Sequence, residues 1–298
     1  MTDGYHPRSP RPDLVTSFEH VGVANAYQFR PPYPTEVFDV LEDLLQEQEP
    51  ANVLDIGTGE GALARPLIAR GRVTRLDAVD SSAAMVAAGR ERPGGGHPGL
   101  RWIVGGVGQV DLDGPYCLVT AGSSLHWMPW RRTMARLAEV LSEQGLVAVV
   151  EHGYHRLPWR DALNDVIARH SRNPEYDPRF SVVEELTERG LFRKVGEHRI
   201  ILESFKQPVA EYVEQFHSTA TLARELMTDE EAEQFDVAVE NIVRPYVVQG
   251  EDEYEEEGGA GRGEVGELGE VGGGAGGEDV LSVEVAASVV WGRPIARG

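Results

Sequence analysis

Two acids and a glycine turn carry the clearest chemical signal in this sequence. Asp55 stands two residues before the first glycine of the run Gly57-Thr58-Gly59-Glu60-Gly61, and Asp80 closes the next strand-like segment. Glycines let the backbone turn tightly and approach a ligand without interference from a Cβ. A carboxylate just before that turn can accept from a cationic amine. Asp80, nineteen residues beyond Gly61, stands where an acid can take both hydroxyls of a ribose. The glycines also satisfy the looser dinucleotide pattern Gly57-x-Gly59-x-x-Ala62, so their spacing alone leaves a nicotinamide site open. Asp55 argues against it, because such a site usually has an apolar residue there.

Two further clusters follow strand-like runs, at the carboxyl edge where open α/β sheets bind ligands. The first is Ser123-Ser124-Leu125-His126-Trp127, and the second is His152-Gly153-Tyr154-His155. A neutral histidine near its ordinary pKa of about 6.5 suits proton removal, so His126 and then His152 are the candidate bases. Trp127, Tyr154, His155 and His217 are candidate substrate contacts, with Phe216 and Thr221 beside the last of them. Ser123 and Ser124 lack a nucleophile-elbow pattern. No metal site is expected, since Cys117 is the single cysteine and the nine histidines lack ligand-like spacing.

The segments that must hold these groups alternate between strand-like and helix-like patterning. Strands are expected near 52–56, 75–79, 101–104, 116–121 and 146–151, with helices beginning near Thr35, Gly61, Ser82 and Arg131. Arg131 and Arg132 read as the surface start of the last of these helices. Helices are then expected at 159–170, 181–189, 208–226 and 229–243, a strand at 198–205, and a final strand at 280–291. Residues 1–17 read as a loose proline-containing arm. These patterns divide the chain into an arm or lid (1–34), a cofactor-binding core (35–155), the rest of the sheet with a helical substrate cap (156–249), an acidic insertion (250–279) and a closing strand (280–298). The insertion packs 12 glycines between Gly250 and Gly277 and carries a formal charge of −10, so a mobile loop is expected there.

Composition bounds the function classes. With 298 residues, 41% hydrophobic and 26% charged, the chain is an ordinary globular protein. No apolar run approaches the ~18 residues of a membrane span, and the polar N-terminus does not read as a secretory signal. A cytoplasmic setting is expected. The formal charge of −21 repels phosphates and anionic lipids, so neither nucleic acid nor membrane is an expected partner.

Residues 52–151 resemble a class I S-adenosylmethionine-dependent methyltransferase. Asp55-x-Gly57-x-Gly59-x-Gly61 is similar to that family's first signature, and Asp80 to its second. The segment 121–127 resembles the stretch after the fourth strand in small-molecule members. Ala26-Tyr27-Gln28-Phe29-Arg30-Pro31-Pro32-Tyr33-Pro34 resembles the entry motif of the branch that includes trans-aconitate methyltransferase, and Trp291-Gly292-Arg293-Pro294 also fits. The resemblance implies a Rossmann-like, doubly wound, mainly parallel seven-stranded sheet with its last strand antiparallel and a helical cap inserted. It implies S-adenosylmethionine as cofactor. Asp55, Gly57, Thr58, Gly59 and Gly61 would face its methionine part, Asp80 and Ser81 its ribose, and Met85 with Gly106 and Val107 its adenine. Ala121 would border the same site, while Tyr27 and Arg30 would cover it, Arg30 near the carboxylate. Two positions depart from the family pattern: Gly106 stands where an acid commonly receives the adenine amino group, and Cys117 where an aspartate often opens the fourth strand. The implied reaction is methyl transfer to a small molecule, an organic acid or natural-product intermediate. An NAD(P)-dependent oxidoreductase and a non-catalytic nucleoside-binding protein are the alternative readings.

Overall fold

The computed structural model describes residues 12–45, 48–173, 180–249 and 279–296; the acidic insertion lies outside the described residues, apart from Asp279. Five strands run parallel at the centre: β1 (Asn52–Ile56), β2 (Arg75–Asp80), β3 (Leu100–Val104), β4 (Tyr116–Gly122) and β5 (Leu141–His155). Their near-continuous apolar character is what burial on both faces of a parallel sheet requires. The last strand, β8 (Asp279–Pro294), lies antiparallel between β5 and β6 (Phe192–Pro208), giving the order β3-β2-β1-β4-β5-β8-β6.

Among the described residues the sheet has eight strands rather than the expected seven. Pairing of β5 with β8 ends at His155 and Glu284, which leaves the first residues of β8 open on that side. A three-residue strand, β7 (Val247–Gln249), pairs with Asp279–Leu281 there and satisfies backbone groups that would otherwise be exposed.

Helices α2 (Thr35–Leu44) and α3 (Ala64–Ala69) cover one face of the sheet. There Val37, Leu41, Leu67 and Ile68 pack against Val53, Leu76 and Leu118. Helices α5 (Trp130–Val140) and α7 (Val182–Glu188) cover the other through Trp130, Met134, Leu137 and Leu186. Between β2 and β3, α4 (Ala83–Glu91) starts at Ser82, whose hydroxyl accepts the Met85 amide and caps the helix. A third apolar cluster forms a cap from α6 (Arg160–His170), α8 (Val209–Glu214) and α9 (Asp229–Val243), centred on Leu163, Tyr212, Phe235 and Val239. Thr228 and Glu231 form a capping box at the start of α9.

Two local expectations are corrected. The helix expected over 208–226 stops at Glu214 and gives way to 3-10 turns. Ser218 and Thr219 donate their hydroxyls to the Gln215 and Phe216 carbonyls, which competes with helical hydrogen bonding. The arm is likewise not loose over its described part. A 3-10 helix (Pro12–Glu19) and α1 (Val21–Tyr27) pack onto the body, with Ser17, Val23, Ala24 and Ala26 buried. Ser17 donates to the Ala220 carbonyl at 3.2 Å, and Ser82 donates to the Phe18 carbonyl at 2.6 Å. Among the described residues no helix is long and apolar enough to cross a membrane.

Candidate active site

The turn after β1 is tied to the end of β2 by its backbone. The Thr58 amide donates to the Val79 carbonyl at 3.0 Å, and the Gly59 amide donates to Oδ2 of Asp80 at 2.8 Å. Gly57 and Gly59 adopt φ of +62° and +57°, a conformation costly for any residue with a Cβ. Asp80 also accepts the Ser82 amide at 2.8 Å through Oδ1. Burial pushes the Asp80 carboxyl above its ordinary value, and the two amides oppose that shift.

Above this turn lies a cavity of about 900 Å³. Gly57, Gly59, Asp80, Ser81 and Met85 line its sheet side, with Gly106 and Val107 continuing the wall beyond β3. Tyr27 and Arg30 close it from the end of α1, the guanidinium lying 4.1 Å over the Tyr27 ring. His126 and Trp127 stand in the turn after β4, their rings 5.1 Å apart. The residue types and spacings singled out in the sequence thus meet in one space, although they come from five separate segments.

Other expected site residues do not line this cavity. Asp55 is only 1% exposed and points beneath the turn, where the hydroxyls of Thr58 and Thr120 each donate to it at 2.6 Å. Burial raises its pKa to about 6, against those two hydrogen bonds, and Asp80 adds to the shift. Thr58 is buried with it, and Ala121 is enclosed in the sheet. Gly61 faces Trp102, whose ring a Cβ would meet at 2.6 Å. His152 points away from the cavity: Nε2 pairs with the Pro31 carbonyl at 2.9 Å, and the ring lies 3.9 Å from that of Tyr33. Tyr154 belongs to a polar cluster with Gln207 and Gln215, and His155 is not in the lining. His217 is buried behind the wall, its Nδ1 pairing with the Leu222 carbonyl and its Nε2 with Asp236.

His126 is in place, but its basicity differs from the sequence expectation. Burial, reinforced by the Arg30 charge, lowers its pKa to about 4. The ring is therefore neutral at neutral pH but a weaker proton acceptor than an ordinary histidine.

Several wall residues were not among the site residues expected from the sequence. Phe18 reaches the cavity from the arm and meets Trp127 edge to face, 5.5 Å between centroids and 80° between planes. Ser123 lines the cavity at φ +46°, a strained conformation of the kind that clusters at functional sites. Gln109 reaches the same wall; its carboxamide oxygen lies 3.3 Å from where a Cβ at position 106 would be. Arg132, read as a surface residue, reaches the lining and donates to the Gly108 carbonyl at 2.8 Å. From the cap, α6 contributes Asn164 and Ile167, while Phe216, Thr219, Thr221 and Leu222 follow α8. Phe216 and Thr221 had a weak sequence signal, as neighbours of His217 in an insert with helical patterning. Ser123 belongs to the run after β4 that the sequence offers, and Arg132 to the start of the next helix; Phe18, Gln109, Asn164, Ile167, Thr219 and Leu222 had no signal, because only long-range packing brings them here.

The profile of the methyltransferase-domain family matches residues 53–145. Those residues span β1 to β5, including the glycine turn, Asp80 and His126. Over those residues the chain is similar to a methyltransferase domain. The trans-aconitate 2-methyltransferase of Deinococcus radiodurans is 35% identical over 124 residues, covering 39% of this chain and 46% of that protein. The malonyl-[acyl-carrier protein] O-methyltransferase 1 of Ilyobacter polytropus is 27% identical over 46% of this chain and 50% of its own. The chain thus spans about half the length of the curated relatives it matches. A solved structure from Anaeromyxobacter dehalogenans, provisionally described as a type II methyltransferase, shares the fold. It has a TM-score of 0.57 and 19% identity, over 89% of this chain and 97% of that one. In sequence and fold the chain resembles class I S-adenosylmethionine-dependent methyltransferases. S-adenosylmethionine is the cofactor of this domain class, and the residues present fit it. The positive-φ glycines leave backbone open to a ligand, the half-buried Asp80 can accept hydroxyl donors, and Met85 gives an apolar platform.

Proposed function

We propose that the chain is an S-adenosylmethionine-dependent methyltransferase acting on a small-molecule acceptor, an organic acid or natural-product intermediate. One observation carries this reading. The turn joined to Asp80 and the His126–Trp127 pair open into a single cavity, which continues to a wall supplied by the cap. About 900 Å³ lies near the upper end of the ~300–1,000 Å³ range for one ligand, leaving room for a second small molecule. The names of the trans-aconitate and malonyl-[acyl-carrier protein] relatives support a carbonyl-bearing acceptor. The formal charge of −21 disfavours nucleic acid.

When bound, the cofactor supplies a methyl group on a positively charged sulfur, which keeps the electron pair of the broken bond. The work left to the protein is binding, alignment and exclusion of water, which supply much of the acceleration for such a transfer. Asp80 and the Gly59 turn would hold the nucleoside, Met85 and Gln109 would border its base, and Tyr27 and Arg30 would close the site. His126 would accept a hydrogen bond from the acceptor and orient it. Asp55 acts at one remove, fixing the turn through Thr58.

Calorimetry with S-adenosylhomocysteine, followed by transfer of an isotopically labelled methyl group to an acceptor pool, tests this reading. Saturable homocysteine-form binding and label transfer are expected. Saturable NADH binding in its place would make the protein an oxidoreductase, and cofactor binding without transfer to any acceptor a nucleoside-binding protein.

A further inference from the structure

The turn that follows β3 starts directly beside Asp80. Val104 is the register partner of Asp80 in the parallel pair β2–β3, and the Gly105 amide donates to the Asp80 carbonyl at 2.8 Å. Gly105, Gly106, Val107, Gly108 and Gln109 all line the cavity there, as does Met85 from the first turn of α4. A nucleoside whose ribose hydroxyls rest on Asp80 has this stretch as the wall nearest its base.

An adenine ring buries its faces against apolar groups, whereas the polar atoms on its edge need partners once water is excluded. Met85 and Val107 supply apolar surface at this end. The exocyclic amino group needs an acceptor, and few side chains here can provide one. Arg132, which donates to the Gly108 carbonyl at 2.8 Å, carries donors alone. The Thr133 hydroxyl oxygen is enclosed by protein. Gly106 has no side chain, and the Gln109 end group fills the space above it. The Gln109 carboxamide oxygen lies 3.3 Å, and its carbon 3.8 Å, from where a Cβ at position 106 would be.

The local backbone puts Gln109 there. Its amide donates to the Gly106 carbonyl at 2.8 Å, and the Val110 amide donates to the same carbonyl at 3.2 Å, so the chain folds residue 109 back over residue 106. The carboxamide makes no hydrogen bond among the described residues. A carboxamide presents one acceptor and two donors in a plane, which matches an adenine amino group and the ring nitrogen beside it.

We infer that Gln109 reads the adenine of the cofactor, its carboxamide oxygen accepting from the exocyclic amino group and its amide donating to the neighbouring ring nitrogen. The inference rests on the methyltransferase reading and deepens it. The place that Gly106 leaves without a side chain is served from three residues further along the same turn.

The test is a cycle of two deletions on the full chain, read by calorimetry. One deletion is in the ligand: S-adenosylhomocysteine is compared with its 6-deamino analogue, which has hydrogen in place of the amino group. The other is Gln109→Ala. Wild type should bind the amino form roughly three- to tenfold more tightly, the scale of one neutral hydrogen bond. Gln109→Ala should bind the two compounds within about twofold of each other, and Gln109→Glu, which keeps an acceptor oxygen, should retain the preference. Gln109 is exposed, so melting temperatures equal to that of wild type are expected and report folded variants. Equal binding of the two compounds by wild type, or an undiminished preference in Gln109→Ala, would overturn the assignment while leaving the enzyme reading in place. Wild-type protein that binds neither compound would instead remove the methyltransferase reading itself.

Discussion

The Gly59 amide and Oδ2 of Asp80 are 2.8 Å apart, so one carboxylate both shapes the turn after β1 and faces the cavity. Asp80→Ala should weaken S-adenosylhomocysteine binding by about 1–3 kcal/mol, the usual cost of losing a charge-assisted partner. Asp80→Asn keeps one acceptor oxygen and should fall between the two. Calorimetry that finds the alanine variant binding as tightly as wild type would remove Asp80 from the site.

Asp55 makes stability depend on pH. Its carboxyl titrates near 6 in the folded protein, above the value of about 4 in an unfolded chain. The folded state therefore holds more proton between those values. The stability contributed by this group is full below about pH 4 and is lost as pH rises through about 6. Asp55→Asn removes that titration, and the threonine hydroxyls can rotate to suit the amide. Denaturant unfolding from about pH 4 to 7 should give a flatter profile for the variant than for wild type. Parallel profiles would show that Asp55 does not titrate in this window.

His126 sets the acid limb of turnover if it touches the acceptor. With its pKa near 4, it stays neutral from about pH 6 to 8, and no limb from this ring should appear there. His126→Ala should lower kcat by roughly tenfold or more with cofactor affinity near normal, and His126→Gln should restore part of it. A limb near 6.5 that vanishes in the alanine variant would show an ordinary histidine acting as base.

His152 predicts a different signature. It joins the Pro31 carbonyl to β5 and supports Tyr33 from beneath. His152→Ala should lower unfolding free energy by about 1–2 kcal/mol while kcat changes less than about threefold. Loss of kcat at wild-type stability would return His152 to the site.

Gly89 tests the packing under the glycine turn. A Cβ there would lie 2.4 Å from the Trp102 ring and 2.7 Å from the Glu60 carbonyl oxygen. Alanine would gain about 1 kcal/mol in helix propensity, but forcing backbone apart costs about 1–3 kcal/mol. Gly89→Ala should therefore lower the melting temperature, whereas Gly96→Ala, with open space around its Cβ, should leave it nearly unchanged. Equal melting temperatures would mean that α4 shifts freely.

The sequence determined the elements whose signals are local. Helix α9 runs over the expected residues 229–243, because Thr228 and Glu231 cap it and Phe235, Val239 and Ile242 mark one face. Strands β1 and β2 follow from short buried apolar runs, and the turn between β1 and α3 from glycines that must adopt positive φ. Asp80 was legible for the same reason, since the end of a parallel strand fixes which side chain meets the crevice. Tertiary structure decided where the remaining groups point. Asp55 and His152 also lie at or near the ends of strands, yet Thr58 and Thr120 draw one beneath the turn and Pro31 with Tyr33 draws the other away. Phe18, Ile167 and Phe216 come to one cavity from segments far apart in the chain. Periodicity reports which face of an element is buried, whereas the partner that buries it is set by contacts between distant segments, which no local spacing encodes.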